Sequence, residues 1–283
     1  MKDKNKVELY LEYDNDLAES PHFDPRNRVL SWIDIPKGEL ITSDSRGKIK
    51  IVGFNEKIGC AIPLKRSNGF LVLGTTHIYI YEDDKITPIY DLTKDLDPSQ
   101  RCNDANIDNM GRLWFSSIVD DGIHAPESKL YCYTNKELIC MDSDLKLGNG
   151  ICWNKKNNRM FVVDSIGHCI YVYDYDLDTG YISNRRILCN IYEGEPDGMI
   201  IDKDENLWVA IWNGGKIQVR SSKTGLLKKE YDVPTYNATC MCYKKEDKML
   251  IITTAKGKDT YGGNLFSLNV DVNFDDFEYA VID

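Results

Sequence analysis

Apolar residues along this chain come in short runs rich in Val, Ile, Tyr, Trp and Phe, separated by clusters of Asn, Asp and Gly. No window sustains an apolar stripe at helical spacing over three turns, so the pattern predicts strands almost throughout. One phrase recurs: an apolar segment, an Asp or Asn, a turn, and a strongly apolar strand. It reads FDPRNRVLSWIDI, IDNMGRLWFSSI, WNKKNNRMFVVDS and IDKDENLWVAIW, and in weaker form PLKRSNGFLVLGT and CYKKEDKMLIITTA.

Aligning the six copies on Trp32, Val72, Trp114, Val162, Trp208 and Ile251 gives steps of 40, 42, 48, 46 and 43 residues. That is the period of a four-stranded propeller blade, about 40–50 residues. The expected fold is all-β: a six-bladed β-propeller with four-stranded antiparallel blades, one domain over residues 1–283, closed by strands from both termini. Because an open edge strand invites aggregation, Val7 to Tyr13 is the expected closing strand. A β-sandwich would also give short alternating strands, but it leaves the six-fold period unexplained.

The repeat also selects candidate chemistry. Glu19, Asn103, Asn149 and Asp197 each stand five residues before a turn residue, namely Asp24, Asp108, Asn154 and Asp202. The same count in the two weaker copies lands on Cys60 and Thr239. Equivalent positions of a ring converge on its axis, so four carboxylate and amide oxygens would line a central channel as a hard-cation site. Taken singly, Asn149-Gly150 and Asp197-Gly198 read as tight-turn dipeptides, and Glu19 before Ser20-Pro21 as a solvated loop carboxylate. The shared register favours a common site, because a turn needs no particular residue at one offset in four blades.

Composition narrows the partners. The 283 residues are 42% apolar and 28% charged, enough for a core, and 35 Lys and Arg against 45 Asp and Glu leave a net charge of −10. Nucleic acid and anionic membrane surfaces would bind against that mean field, so neither is an expected partner. No apolar segment of signal-peptide or spanning length opens the chain, which makes a cytoplasmic location the expectation. Nine scattered cysteines without a C-x-x-C pair or zinc-finger spacing are expected as reduced thiols, with Cys240 and Cys242 in the core. No G-x-S-x-G elbow or phosphate loop is present, and His22, His77, His124 and His168 show no H-x-H or H-E-x-x-H spacing, so serine-triad and zincin chemistry lack their residues. Trp32, Trp114, Trp153 and Trp208 keep step with the repeat as core positions, whereas Trp212 beside a turn is a candidate for the mouth of the site.

The segments ESPHFDPRNRVLSWIDI, RCNDANIDNMGRLWF, GNGICWNKKNNRMFVVDS and EPDGMIIDKDENLWVA together resemble the E-G-P-x-W-D, R-x-N-D, N-G and P-D-G phrases of the senescence marker protein (regucalcin), gluconolactonase and luciferin-regenerating enzyme family of six-bladed propellers. The resemblance spans essentially the whole chain. It implies that Glu19, Asn149 and Asp197 hold one divalent metal, Ca²⁺ first, with Mg²⁺, Mn²⁺ and Zn²⁺ as alternatives. It further implies that Asp197 is the catalytic base and that Arg101 and Asn103 contact substrate, with Asp121, in the lid-like stretch after the third repeat, matched to an acidic substrate-orienting residue. Ser20 stands where Gly is usual, Phe23 where Trp is common, and Ser116-Ser117-Ile118 replaces G-T-M. The expected activity is metal-dependent opening of a small lactone, most simply a sugar lactone. The alternative is a calcium-binding or small-ligand-binding propeller without hydrolysis. Oligomeric state is left open.

Overall fold

The computed structural model describes residues 6–120 and 127–281. Six four-stranded antiparallel sheets follow one another around a ring. Blades 1 to 5 are continuous in sequence over residues 18–53, 58–91, 100–145, 148–190 and 195–232, each running from the axis outward. Blade 6 takes three strands from residues 238–269 and its outermost strand from Val7–Leu11. The predicted closure therefore holds, with Val7 opposite Leu268 and Leu9 opposite Phe266. Inner strands touch their neighbours in an unbroken circuit, including blade 6 against blade 1. Only two single-turn 3-10 helices occur among the described residues, and no helix is long and apolar enough to cross a membrane.

The recurring phrase folds as a hairpin latch. Its turn residue ends or follows the inner strand and turns its side chain back onto the chain. Asp202 accepts from the backbone N–H groups of Asp204 (2.9 Å) and Asn206 (2.8 Å) and from Trp208 Nε1 (2.9 Å). Asp108 accepts from the N–H groups of Met110 and Arg112, from Arg112 Nε (2.6 Å), Trp114 Nε1 (2.9 Å) and Tyr175 Oη (2.7 Å). A short acceptor thus fixes the turn and seats the tryptophan of the next strand, whose ring fills the space between blades. Trp32, Trp114 and Trp208 are fully buried there as predicted. Trp153 departs from that expectation. It is half-buried, set edge-on to Trp114 at 6.2 Å, and lines a cavity at the end of the channel opposite the predicted site.

The C-terminal segment crosses that same end. Lys203 donates to the Asn273 carbonyl (2.8 Å), Phe274 is buried against Trp208 and Tyr243, and Ala280 exchanges backbone hydrogen bonds with Pro63 and Lys65. Between those anchors, Tyr279 donates to Asp24 (3.0 Å) beneath the Arg26 guanidinium. Residues 273–280 therefore form a strap from blade 5 to blade 2.

The Asp108 latch is buried together with its arginine partner, the side chains being 1% and 9% exposed. Removing one member of such a network leaves the others desolvated and unpaired, which costs about 3–5 kcal/mol. Asp108→Ala is therefore expected to lower the unfolding free energy by about that amount in urea denaturation. A loss below about 1 kcal/mol would show that the latch carries little of the hairpin's stability.

Candidate functional site

Each inner strand is interrupted at one level by a β-bulge or register shift. These fall between Glu19 and His22, Ile58 and Cys60, Cys102 and Ala105, Asn149 and Ile151, Pro196 and Met199, and Ala238 and Met241. A bulge bends the strand and re-aims its side chains, and repeating it six times turns a set of residues toward the axis. Glu19, Asn103, Asn149 and Asp197 all lie in or beside these bulges. The turn reading of Asn149-Gly150 and Asp197-Gly198 is corrected: both pairs sit inside strands. A Cβ on Gly150 would fall 2.7 Å from the Asp197 carbonyl oxygen, and one on Gly198 would fall 2.5 Å from Cys240 Sγ, so glycine lets adjacent inner strands close in.

The aspartates that end two second strands aim the site. Asp34 accepts from the N–H groups of Asp16 (2.9 Å) and Leu17 (3.2 Å), just before Glu19. Asp164 does the same for Lys146 and Leu147, both at 3.0 Å, just before Asn149. Ser20 adopts φ +50°, the left-handed region where glycine is at ease, and is held there by hydroxyl contacts to the carbonyl (3.2 Å) and N–H (3.1 Å) of Ala61 in blade 2.

Within the ring, Asn103 bridges two blades: its Nδ2 donates to the Gly148 carbonyl (3.0 Å) and its Oδ1 accepts from the Arg101 guanidinium (3.1 Å). Arg101 is buried and also donates through Nε to Asp120 (2.8 Å), which Lys57 reaches at 2.7 Å. Although burial works the other way, Arg101 and Lys57 hold the Asp120 carboxyl below its ordinary range. Asn149 Nδ2 donates to Ser165 Oγ (3.2 Å), which leaves its oxygen for a cation.

The carboxylates are poorly compensated. Burial pushes Glu19 well above the usual carboxylate range, Asp197 and Asp104 push it further, and the Ser20 N–H and Arg101 pull back only weakly. Burial does the same to Asp197, reinforced by Asp104 and Glu195 and opposed by the Gly198 N–H and the Asn149 amide. Asp197 Oδ1 is enclosed with no hydrogen-bond partner among the described residues. Glu19, Asn103, Asp104 and Asn149 surround a cavity of about 10 Å³, the scale of one water or one ion. The Glu19 carboxylate and the Asn149 amide oxygen at this space, with the orphaned Asp197 oxygen close to Glu19, fit a hard divalent cation. No group of three His, Cys, Asp or Glu side chains clusters at metal-binding distance among the described residues, so the donor set depends on its amide.

Residues 17–256 match the model of the family described as SMP-30/Gluconolactonase/LRE-like region. The chain belongs to this family. Regucalcin from Danio rerio is 28% identical over 257 residues, covering 88% of this chain and 86% of its own. Among solved structures, a luciferin-regenerating enzyme superposes with a TM-score of 0.89 at 24% identity, over 98% of this chain and 99% of that one. A regucalcin from Agrobacterium tumefaciens, described as a calcium-binding protein, gives 0.88 at 20% identity over 95% of each chain. At those identities the superpositions establish the fold.

Within the family frame the ring gathers Glu19, Arg101, Asn103, Asn149 and Asp197 at one level, whereas Asp121 and His124 lie outside the described residues. Asp104 escaped the reading of the repeat, which used one offset per blade. A bulge turns two successive residues toward the axis, so the position after Asn103 was also a candidate. Burial raises its carboxyl to about 6. All nine cysteines are unpaired thiols, as expected, and burial raises Cys60, Cys102, Cys152 and Cys240 far from reactivity. Cys242 is buried as expected, but Cys240 stands in the blade 6 bulge facing the channel.

Burial and the neighbouring acids Asp104 and Glu195 disfavour the ionised Asp197 in the metal-free ring. Asp197→Asn is expected to raise the melting temperature of chelator-treated protein by about 2–4 °C, corresponding to roughly 1 kcal/mol. A fall in melting temperature would show that the Asp197 carboxylate is compensated.

Proposed function

We propose that this protein is a divalent-metal-dependent hydrolase that opens a small lactone, with a sugar lactone as the first candidate. The observation that carries the reading is the enclosed, unpartnered Oδ1 of Asp197 beside Glu19, with the fixed cation Arg101 nearby. Membership in a family whose description includes gluconolactonases supports the same reading. Glu19, Asn149 and Asp197 would hold the metal, Ca²⁺ first, with Mg²⁺, Mn²⁺ or Zn²⁺ as alternatives. A bound divalent ion supplies Lewis-acid polarisation of the lactone carbonyl and neutralises charge developing on its oxygen.

The chain's own groups do the rest. Asp197 accepts a proton from the attacking water, a contribution of roughly 10²–10⁴ in rate for a positioned base. The water oxygen bonds to the carbonyl carbon, the ring C–O bond breaks, and the proton held on Asp197 passes to the departing ring oxygen. The product is the open hydroxy acid. Arg101 and Asn103 are already fixed to each other, so they orient substrate oxygens with little further loss of side-chain freedom. Burial of the site excludes bulk water from competing with these contacts.

The test is a panel of sugar and aliphatic lactones assayed against Ca²⁺, Mg²⁺, Mn²⁺ and Zn²⁺ after chelation. Hydrolysis is expected only with metal restored. Glu19→Gln and Asp197→Asn should each lower kcat/KM by at least about 10²-fold. Turnover that survives chelation and both substitutions would exclude the proposal. Metal-dependent thermal stabilisation without turnover on any lactone would exclude the hydrolase and favour a calcium-binding propeller, the property named in the Agrobacterium regucalcin.

A further inference from the structure

At the end of the channel opposite the ring lies a cavity of about 480 Å³, within the range of small-molecule sites. The strap closes one side of it. Part of its wall is apolar and aromatic, formed by Phe23, Trp153, Met199, Met241, Phe274 and Phe277, and the rest is polar, with Asn106 and Asn154 among the lining residues. Asp104 is the one residue that lines both this cavity and the small space beside Glu19.

The charges in the cavity are one-sided. Asp104 receives a single hydrogen bond among the described residues, from the N–H of adjacent Ala105 to Oδ1 (2.7 Å), and no cation pairs with it. At the mouth, Glu278 is half-buried and takes part in no ion pair among the described residues. The lysines that line the cavity, Lys155 and Lys245, are exposed at its outer rim, and Lys245 is held by Asp276 at 3.2 Å. His22 lies against Phe277 (5.0 Å) with its Nδ1 3.1 Å from the Ser20 carbonyl oxygen, and burial lowers its pKa to about 4, so the ring is neutral.

These features select a ligand class. An anion would meet Asp104 and Glu278 without a buried cation. A metal ion would find the lining carboxylates too far apart to share it, since no group of three His, Cys, Asp or Glu side chains clusters at metal-binding distance among the described residues. A neutral apolar molecule would leave a desolvated carboxylate unpaired. An organic ammonium meets all three conditions, because it pairs with the carboxylate, its body covers the apolar wall, and aromatic faces attract its charge.

We propose that this cavity is a second ligand site, distinct from the ring, that takes a small amphipathic amine with its ammonium at Asp104 and its apolar body against Trp153, Met199, Met241 and Phe277. Entry is through the strap. Residues 275–278 lie between the Phe274 and Tyr279 anchors, and their ion pairs to Lys203 and Lys245 are exposed pairs of the kind that contribute little.

Isothermal titration of the full chain with three probes sharing an indole body tests this: tryptamine carries an ammonium, tryptophol a hydroxyl and indole-3-acetate a carboxylate. Tryptamine is expected to bind once per chain, tryptophol at least about tenfold more weakly, and indole-3-acetate not measurably. Asp104→Asn should bring tryptamine and tryptophol within about twofold of each other. Met241→Trp, which adds bulk at the cavity wall, should abolish binding, and Phe277→Ala on the half-buried strap should weaken tryptamine several-fold, each with an unchanged circular dichroism spectrum as the check on folding. Asp197→Asn should leave tryptamine binding intact, so failure here is separable from failure of the lactonase reading. The proposal is overturned by no tryptamine binding at millimolar concentration, by equal binding of the three probes, by binding unchanged in Met241→Trp and Phe277→Ala, or by its loss in Asp197→Asn.

Discussion

The pairing of Val7–Leu11 with Leu265–Asn269 is the constraint on which the axis depends. Each blade is an ordinary hairpin sheet, and nothing within one blade brings Glu19 near Asp197. They meet because six twisted sheets turn through a full circle and the last inner strand packs against the first. Without the N-terminal strand, blade 6 would end in an unpaired edge and the ring would be free to splay. The strap reinforces the same closure from below, joining blade 5 to blade 2 across the seam. A candidate site that draws Glu19, Asn149 and Asp197 from blades 1, 4 and 5 is therefore only as ordered as the closure that holds those blades in register.

That dependence explains how the protein tolerates an unfavourable centre. Burial raises the proton affinity of Glu19, Asp104 and Asp197, and Asp104 raises that of Glu19 and Asp197 further, a cost that a surface site would avoid. The cost is met by latches that lie away from the axis. Asp34 and Asp164 tie the segments leading into Glu19 and Asn149, while Asp108 and Asp202 tie the hairpins at the other end. Aspartate thus performs two opposite tasks here. Saturated with N–H donors it stabilises, and left unsaturated at the axis it keeps binding capacity for a cation.

The same division explains what was legible in the sequence. Repetition made the latches visible, because Asp24, Asp108, Asn154 and Asp202 recur with their strands, and a fixed offset from them reached Glu19, Asn103, Asn149 and Asp197. The ring and its closing strand followed from the same period. Asp104 was hidden because a bulge has two inward positions and the count assigned one. Asn149-Gly150 and Asp197-Gly198 suggested turns because glycine at a turn and glycine at a close backbone approach look alike in sequence; only the neighbouring Asp197 carbonyl and Cys240 thiol tell them apart. The strap was illegible for a different reason: residues 273–280 belong to no repeat, and their partners lie in blades 5, 6, 1 and 2.

The bulge also divides the channel by chemistry. On one side of it the axis is lined by Glu19, Asn103 and Asn149, and on the other by Phe23, Met199, Met241 and the rings of the strap. Asp104 stands at the junction as the second inward residue of its bulge. The equivalent second positions in the adjoining blades are Ala61 in blade 2 and Gly150 in blade 4, so no neighbouring blade supplies a charge to balance it. An uncompensated carboxylate at that point adds negative potential to both ends of the axis at once. It raises the proton affinity of Glu19 and Asp197 and sets an inner carboxylate at the other end, where Glu278 stands at the mouth, so one bulged strand sets the polarity of both ends of the channel.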